Sequence, residues 1–214
     1  MSEKLESKLF SVLHANRMTL LLVLFWFGFV VPSRSQERNL SKRLSLAFEV
    51  GNWQPHSLND EPRFDTFGAA GATPFYGLAF SVPLGGGLGL RMSVGYWSLR
   101  DLEKIETVHS LTLHPISVDM KYWFVPDYKL SAYIMYGGGV YWGVENETSP
   151  FGTKFRKARA GWGASLGAGF DFLILEGIGL GIAFQYHYVR FKKPLGGVAD
   201  FSGPKIAVQF FFFL

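Results

Sequence analysis

Residues 161–172 read Gly-Trp-Gly-Ala-Ser-Leu-Gly-Ala-Gly-Phe-Asp-Phe, and large apolar side chains recur at alternating positions of this stretch. Trp162, Leu166 and Phe170 fall on one side of the alternation, while glycines and Asp171 fall on the other. Successive side chains of a β-strand point to opposite faces, so a period of two predicts a strand with two different surfaces. One surface is apolar and aromatic, and the other is small and carries the charge.

The same alternation returns in further segments, and no helical spacing of apolar residues is sustained after residue 44. We therefore predict an all-β chain of eight strands. The other seven predicted strands are 44–53, 75–84, 88–97, 110–123, 130–142, 178–188 and 205–214.

One of these strands changes phase. Leu111 and Leu113 do not alternate in step with Ile116 and the apolar residues that follow it, and Pro115 lies at the change. Proline cannot donate a hydrogen bond to a neighbouring strand, so we predict a β-bulge at 114–115.

Charged side chains identify the environment of the two faces. Every charge within the eight segments falls on the glycine-rich face, and the aromatic-rich face has none. Glycine suits the crowded interior of a small barrel and is a poor choice on an exposed strand face. We therefore predict that the apolar face points outward to lipid. The inward charges are Glu49, Arg91, Asp119, Lys121, Asp171 and Lys205.

The connections between the predicted strands alternate between long and short. This alternation is typical of outer-membrane barrels, which have long extracellular loops and short periplasmic turns, and it places both termini in the periplasm. The long connections are 54–74, 98–109, 143–160 and 189–204. Aromatic residues near the strand ends are expected to form the interfacial girdles, namely Trp53, Phe75, Tyr76, Tyr96, Trp97, Tyr122, Trp123, Phe124, Tyr141, Trp142, Phe170, Phe172, Tyr186 and Tyr188.

The amino terminus has the pattern of an export signal. Three basic residues precede an apolar run over 18–31, which is followed by Pro32 and the small-residue triplet 33–35. We predict a signal peptide over residues 1–35, a periplasmic segment over 36–43 and a barrel domain over 44–214. The alternative is an uncleaved membrane anchor, although the run is shorter than the ~20 residues of a spanning helix.

Composition excludes several classes of function. The chain of 214 residues has no cysteine, which excludes disulfides, cysteine-bound metals, a thiol nucleophile and a lipoprotein anchor. Its net charge of +4 is not concentrated in the dense basic stripe typical of nucleic-acid binding. No metal-ligand spacing is present, and we predict no cofactor.

Three segments resemble the small eight-stranded outer-membrane barrels, such as outer membrane proteins A and X and related porin-like proteins. They are 114–124, 132–143 and 161–172, and the resemblance extends over residues 41–214. It implies a transmembrane barrel and specifies activity hardly at all. The last strand resembles the family's barrel-assembly signal, although the family usually ends in Phe. The signal residues are Ile206, Val208, Phe210, Phe212 and Leu214.

Eight strands leave an interior just wide enough for side chains. We therefore predict that the inward charges, with Gln185, His187 and Gln209, form a hydrogen-bonded and charge-paired plug, because buried charges need partners. The alternative is a gated, narrow ion or solute channel through the same residues.

The loops are the predicted seat of function, because barrels of this kind present variable loops on a rigid scaffold. Cations there are expected to pair with lipopolysaccharide phosphates, or to be simply solvated. These cations are Lys154, Arg156, Lys157, Arg159, Lys192 and Lys193. We predict a monomeric structural or surface-interaction protein without enzymatic activity.

The alternative is an enzyme that modifies lipid A. Such chemistry needs a base beside a nucleophile. The adjacent residues His109 and Ser110 point to opposite faces of a strand, so only cross-strand pairing of His109, His114 or His187 with a serine would build such a site.

Overall fold

The computed structural model describes residues 43–58, 73–100, 108–124, 129–149 and 152–214. The predicted signal peptide and the segment 36–42 lie outside these residues. Among the described residues, no helix is both long and apolar enough to span a membrane. The strands are β1 (Ser45–Trp53), β2 (Pro74–Gly85), β3 (Leu88–Arg100), β4 (Val108–Trp123), β5 (Leu130–Ser149), β6 (Gly152–Leu175), β7 (Ile178–Leu195), β8 (Val198–Asp200) and β9 (Gly203–Phe213).

Eight of these strands form a closed antiparallel barrel. Each strand from β1 to β7 pairs with the next along the chain, β7 pairs with β9, and β9 pairs with β1 to close the ring. The three-residue β8 pairs with β7 and is not a barrel strand. The prediction of an eight-stranded up-and-down barrel is confirmed.

The two faces of the wall are divided as the alternation predicted. Outward residues such as Leu166 (66% exposed) and Val50 (55% exposed) have no covering side chains, whereas inward Glu49 is 2% exposed. Large apolar side chains cover the outside because that surface faces hydrocarbon, and polar groups are turned inward where they find partners.

The prediction of a long loop over 143–160 is wrong. Strands β5 and β6 continue through this region as a hairpin, with only residues 150–151 between them. Glu145 lies directly opposite Lys157, for example. The strands were missed because polar residues occupy both faces there, so no hydropathy contrast marks the continuing backbone ladder. The loop at 189–204 is likewise shorter, since β7 runs to Leu195 and is followed by β8.

The predicted β-bulge at 114–115 is also wrong. The register between β3 and β4 is the same on both sides of this point: Val94 lies opposite Ile116, and Trp97 lies opposite Leu113. Only the pairing at Pro115 and its neighbour is interrupted, because proline has no N–H to donate. The apolar phase changes because the barrel interior itself becomes apolar at this level.

Five of the aromatic residues assigned to the girdles lie inside the barrel instead. Their strand positions have inward parity, and the interior at both ends of the barrel is wide enough to hold rings. The inward residues are Trp53, Phe75, Trp97, Trp123 and Tyr141, whereas the other nine are exposed on the outer surface.

Candidate functional site

A buried carboxylate at the centre of the barrel binds three strands together. Glu49 of β1 accepts hydrogen bonds from Arg91 Nη2 at 2.5 Å and from Gln209 Nε2 at 2.5 Å. Lys205 Nζ donates to its other oxygen at 3.3 Å. Gln209 lies directly opposite Glu49 on β9, but Arg91 lies on β3, beyond β2. Gly77 of β2 lies directly opposite Glu49, and a Cβ there would lie 3.1 Å from a Glu49 carboxylate oxygen, so the glycine leaves room for the carboxylate.

The network continues from Arg91 into β4 and β6. Arg91 Nη1 lies 3.6 Å from Asp119 Oδ2. The same carboxylate accepts hydrogen bonds from Ser117 at 3.0 Å and from Ser165 at 2.7 Å. Both carboxylate oxygens of Asp119 are therefore occupied.

A second buried ion pair lies nearer the short turns. Lys121 Nζ donates to Asp171 Oδ2 at 2.6 Å, and the indole of Trp123 donates to the same oxygen at 2.7 Å. The ammonium also lies 3.6 Å from the centre of the Tyr133 ring. The cation is thus held by a carboxylate and an aromatic face.

Charge is balanced within these two clusters of ion pairs. The three cations, Arg91, Lys121 and Lys205, match the three carboxylates, Glu49, Asp119 and Asp171, and each is within 4 Å of an opposite charge. Burying a charge is tolerable when it is paired and hydrogen-bonded. The structure therefore brings together all six charged residues that the sequence predicted for the lumen, in two clusters.

His187, the seventh predicted lumen residue, is separate from the ion pairs. Its Nδ1 lies 2.8 Å from the Tyr141 hydroxyl, and its ring packs against Trp53 at a centroid distance of 5.4 Å. Ser165 lies opposite it on β6, but that hydroxyl donates to Asp119. No histidine–serine hydrogen bond is formed here.

The other two histidines considered for catalysis do not build such a site within the described residues. His114 points outward and packs edge-on against Tyr96 at 5.5 Å. The side chain of His109 lies outside the described part of the chain. The described residues also contain no group of three or more histidine or carboxylate side chains that could hold a metal ion.

An apolar cap covers the polar network on the side of the long connections. Its centre is Trp53, whose ring lies 5.7 Å from that of Trp97 and 5.8 Å from that of Tyr141. The residues of the cap share almost complete burial. They are Trp53, Leu58, Phe75, Trp97, Leu99, Leu111, Leu113, Tyr141, Val189, Phe191, Leu195, Val198 and Phe201.

The turn between β7 and β8 folds inward to complete this cap. The Gly196 N–H donates to Glu145 Oε2 at 3.1 Å, which holds the turn against β5. Gly196 has φ +60°, and a Cβ there would lie 2.8 Å from Leu111, so both conformation and space require glycine. Sequence reasoning missed the cap because it assigned 189–204 to a solvated loop, although the apolar residues Leu195, Val198 and Phe201 were a signal against that assignment.

The predicted lipopolysaccharide-binding cations are spread over two faces of the wall. Arg156, Lys192 and Lys193 are exposed, whereas Lys157 and Arg159 are half-buried on the inward side. Lys154 lies in β6, with its side chain outside the described part of the chain. The structure therefore does not gather these six residues into one site.

The predicted assembly signal forms one outward row on the last barrel strand. Its side chains are all exposed, from Phe212 at 39% to Leu214 at 75%. The Leu214 N–H donates to the Leu44 carbonyl at 2.9 Å, so the end of the chain is paired with its first strand.

Solved structures similar to this chain are outer-membrane barrels. Outer membrane protein OprG of Pseudomonas aeruginosa has a TM-score of 0.55 at 11% identity, covering 84% of this chain and 99% of its own. The attachment invasion locus protein Ail of Yersinia pestis (12% identity) and Neisserial surface protein A (10% identity) each have a TM-score of 0.50, covering 80% of this chain and 95% of theirs. No protein-family model matches the sequence. No curated protein matches it either. The fold is that of the small outer-membrane β-barrels.

Proposed function

We propose that this protein is a monomeric, integral protein of the bacterial outer membrane that is exported by a cleaved signal peptide over residues 1–35. Its barrel has a closed interior and acts as a structural or surface-interaction protein, without catalysis and without a cofactor. The apolar outer surface, the amino-terminal sequence pattern and the fold shared with outer-membrane barrels support this proposal.

The closure of the interior is the observation that carries the proposal. An ion entering from the short-turn end would have to separate the pairs Lys121–Asp171 and Arg91–Glu49, which are buried and hydrogen-bonded. It would then meet the apolar cap, whose Tyr141 hydroxyl is already hydrogen-bonded to His187. Both steps cost several kcal/mol or more, because neither replaces the lost hydration.

The second part of the proposal concerns the outer leaflet. Cations along the extended β5–β6 hairpin and the end of β7 lie where phosphates of lipopolysaccharide would be found if the long connections face outward. A similar barrel, the attachment invasion locus protein of Yersinia pestis, has been crystallised with sucrose octasulfate, a polyanionic heparin analogue. The sequence pattern proposes Lys154, Arg156, Lys157, Arg159, Lys192 and Lys193 as lipid contacts. The exposed members of this set, Arg156, Lys192 and Lys193, are better placed for it than the half-buried, inward-facing Lys157 and Arg159.

The last strand is the proposed signal for the barrel-assembly machinery. Its outward apolar row, from Ile206 to Leu214, remains accessible along one face, and its other face carries polar residues such as Gln209 that become buried only in the closed barrel.

Single-channel recording tests the closed interior. The refolded full-length protein in planar bilayers should show no steady conductance. Asp119→Asn removes one buried charge and serves as the comparison. A steady conductance in the wild type that Asp119→Asn abolishes would show that the network is an ion path rather than a plug.

Fractionation tests the location. The protein should sediment with outer membranes and migrate differently on gels before and after boiling, as closed barrels do. Recovery from the soluble periplasm, or identical migration in both states, would contradict the proposal. A change in lipid A structure when the gene is deleted would instead favour an enzyme.

A further inference from the structure

One position on the outer wall combines aromatic and cationic side chains at the edge of the apolar band. Trp162 of β6 and Arg190 of β7 lie directly opposite each other, and both point outward. The Tyr188 ring lies 6.1 Å from the Trp162 ring, and the Arg190 guanidinium lies 5.1 Å from the Tyr188 ring.

The height of this cluster matches the upper limit of the hydrocarbon layer. Phe172 and Trp162 are the first and last large apolar side chains in the outward row of β6, and they are ten residues apart. That distance is about 33 Å along a strand and about 25 Å across the membrane once a tilt of ~40° is included. The result equals the usual height of the apolar band, so Trp162 lies where headgroups begin.

Arg190 lies beside one carboxylate in a loose, solvent-exposed ion pair. Asp200 approaches the guanidinium at Nε, with an Oδ2 distance of 3.9 Å. Asp200 is itself oriented by the Ser202 N–H, which donates to its other oxygen at 2.8 Å. The approach of Asp200 is to Nε, and the two terminal nitrogens of a guanidinium match two oxygens of one phosphate. Lys192 follows on the same outward row of β7 and adds a second positive charge.

The aromatic rings recognise a different part of a ligand. Trp162 is 61% exposed and Tyr188 is 37% exposed, so both rings can be reached from outside the barrel. Their rings are tilted by 58° with respect to each other. Flat aromatic faces pack against the C–H groups of a sugar ring, whereas an acyl chain alone would leave the positive charge of Arg190 without an anionic ligand.

We propose that Trp162, Tyr188 and Arg190, assisted by Lys192, form a binding site for one phosphorylated glucosamine headgroup of lipid A. The sugar packs on the two rings, and its phosphate accepts hydrogen bonds from Arg190. This inference rests on the proposed function, which places this end of the barrel in the outer leaflet. The proposed site is a single position on the barrel wall, whereas the cations discussed above are distributed along the hairpin and the end of β7.

The test uses the full-length protein in phosphatidylcholine nanodiscs, titrated with bisphosphorylated lipid A or with the same lipid A after phosphate removal. Arg190→Ala should weaken binding of the phosphorylated lipid about tenfold, the usual effect of losing a charge-assisted hydrogen bond. The same variant should not change binding of the dephosphorylated lipid. Trp162→Ala should weaken binding of both lipids.

Matched controls lie elsewhere on the outer surface. Lys129→Ala removes an exposed cation at the short-turn end, and Tyr136→Ala removes an outward ring (53% exposed) within the apolar band. Neither should change lipid A affinity, and all variants should retain heat-modifiable migration. Arg190→Lys, which keeps the charge but not the planar fork, should give an intermediate affinity.

The outcomes separate this site from the broader proposal. If Arg190→Ala and Trp162→Ala bind normally while a combined Arg156→Ala and Lys193→Ala variant does not, lipid binding stands and this site is wrong. If Lys129→Ala weakens binding as much as Arg190→Ala, the effect is nonspecific charge attraction and this site is also wrong. If the wild type does not bind lipid A, the proposed lipid contact fails together with it.

Discussion

Glu49 shows how much of the barrel interior depends on one residue. Its carboxylate pairs with Arg91 and Lys205 and accepts a hydrogen bond from Gln209, so it joins three barrel strands at one point. Both cations are less than 4% exposed, so neither can be hydrated unless the barrel wall opens. The cost of losing this carboxylate is therefore the cost of leaving buried positive charge unpaired.

We predict that Glu49→Ala destabilises the folded barrel by about 3–5 kcal/mol, the usual effect of removing one partner from a buried ion pair. Glu49→Gln should cost less, because an amide oxygen still accepts a hydrogen bond. Unfolding by urea in detergent micelles, followed by tryptophan fluorescence, measures the difference.

Glu176→Ala provides the comparison, because this carboxylate is exposed in the turn between β6 and β7. Its effect should stay within about 0.5 kcal/mol. Equal stability of Glu49→Ala and Glu176→Ala would mean that the interior network does not hold the strands together.

At the scale of elements, the inner part of the β5–β6 hairpin contributes to barrel stability, and its outer part is available for surface interaction. Its outer part pairs mostly polar residues, such as Asn146 with Arg156 and Glu145 with Lys157, although Phe155 lies opposite Glu147. The cap below it depends on Glu145, which accepts the Gly196 N–H. The hairpin beyond the Glu145–Lys157 pair therefore contributes cations rather than core.

Replacing residues 146–156 with Asn-Gly should leave a folded barrel. The new turn joins the directly opposed residues Glu145 and Lys157, and Asn-Gly is favoured in two-residue hairpin turns. Heat-modifiable migration should persist, while binding of lipopolysaccharide should weaken but not vanish, because Arg190 remains. Loss of the folded form on gels would show that the extension is required for closure.

At the scale of the whole molecule, the outer surface is fitted to a bilayer. Leu166 lies near the middle of the outward run of β6 and is 66% exposed. Ala158 has the same outward parity on the same strand, but it lies beyond Trp162, where the apolar band ends. The two positions therefore differ in depth and not in the face they occupy.

Leu166→Arg should destabilise the barrel in lipid vesicles by about 2–4 kcal/mol, whereas Ala158→Arg should cost about 0–1 kcal/mol. The difference follows from the cost of placing a charge in hydrocarbon, which falls toward the interface. Guanidinium unfolding in vesicles measures both values. Similar values for the two variants would mean that residues 162–172 do not span the apolar layer.

The sequence by itself determined which side of each strand faces lipid and which charges face inward. Side chains that face hydrocarbon must be apolar, whereas side chains that face the lumen are small or polar. Hydropathy therefore alternates at every second position of the strands between Leu44 and Leu214. This alternation predicted strand number and closure correctly, and the six charges it assigned to the interior are buried and paired in the structure. The alternation did not reveal the strands within 143–160, because polar residues occupy both of their faces. It also suggested a bulge near Leu111, because the lumen is apolar at that level and the apolar residues of β4 change phase there.

Only the tertiary structure decided which groups meet. Arg91 of β3 reaches Glu49 of β1 past the intervening strand β2, the β7–β8 turn enters the lumen to complete an apolar cap, and Arg190 lies opposite Trp162. Each contact joins strands whose relative stagger is set by barrel closure. Alternation along one strand carries no information about that stagger, which is why the partners could not be assigned before the barrel was closed.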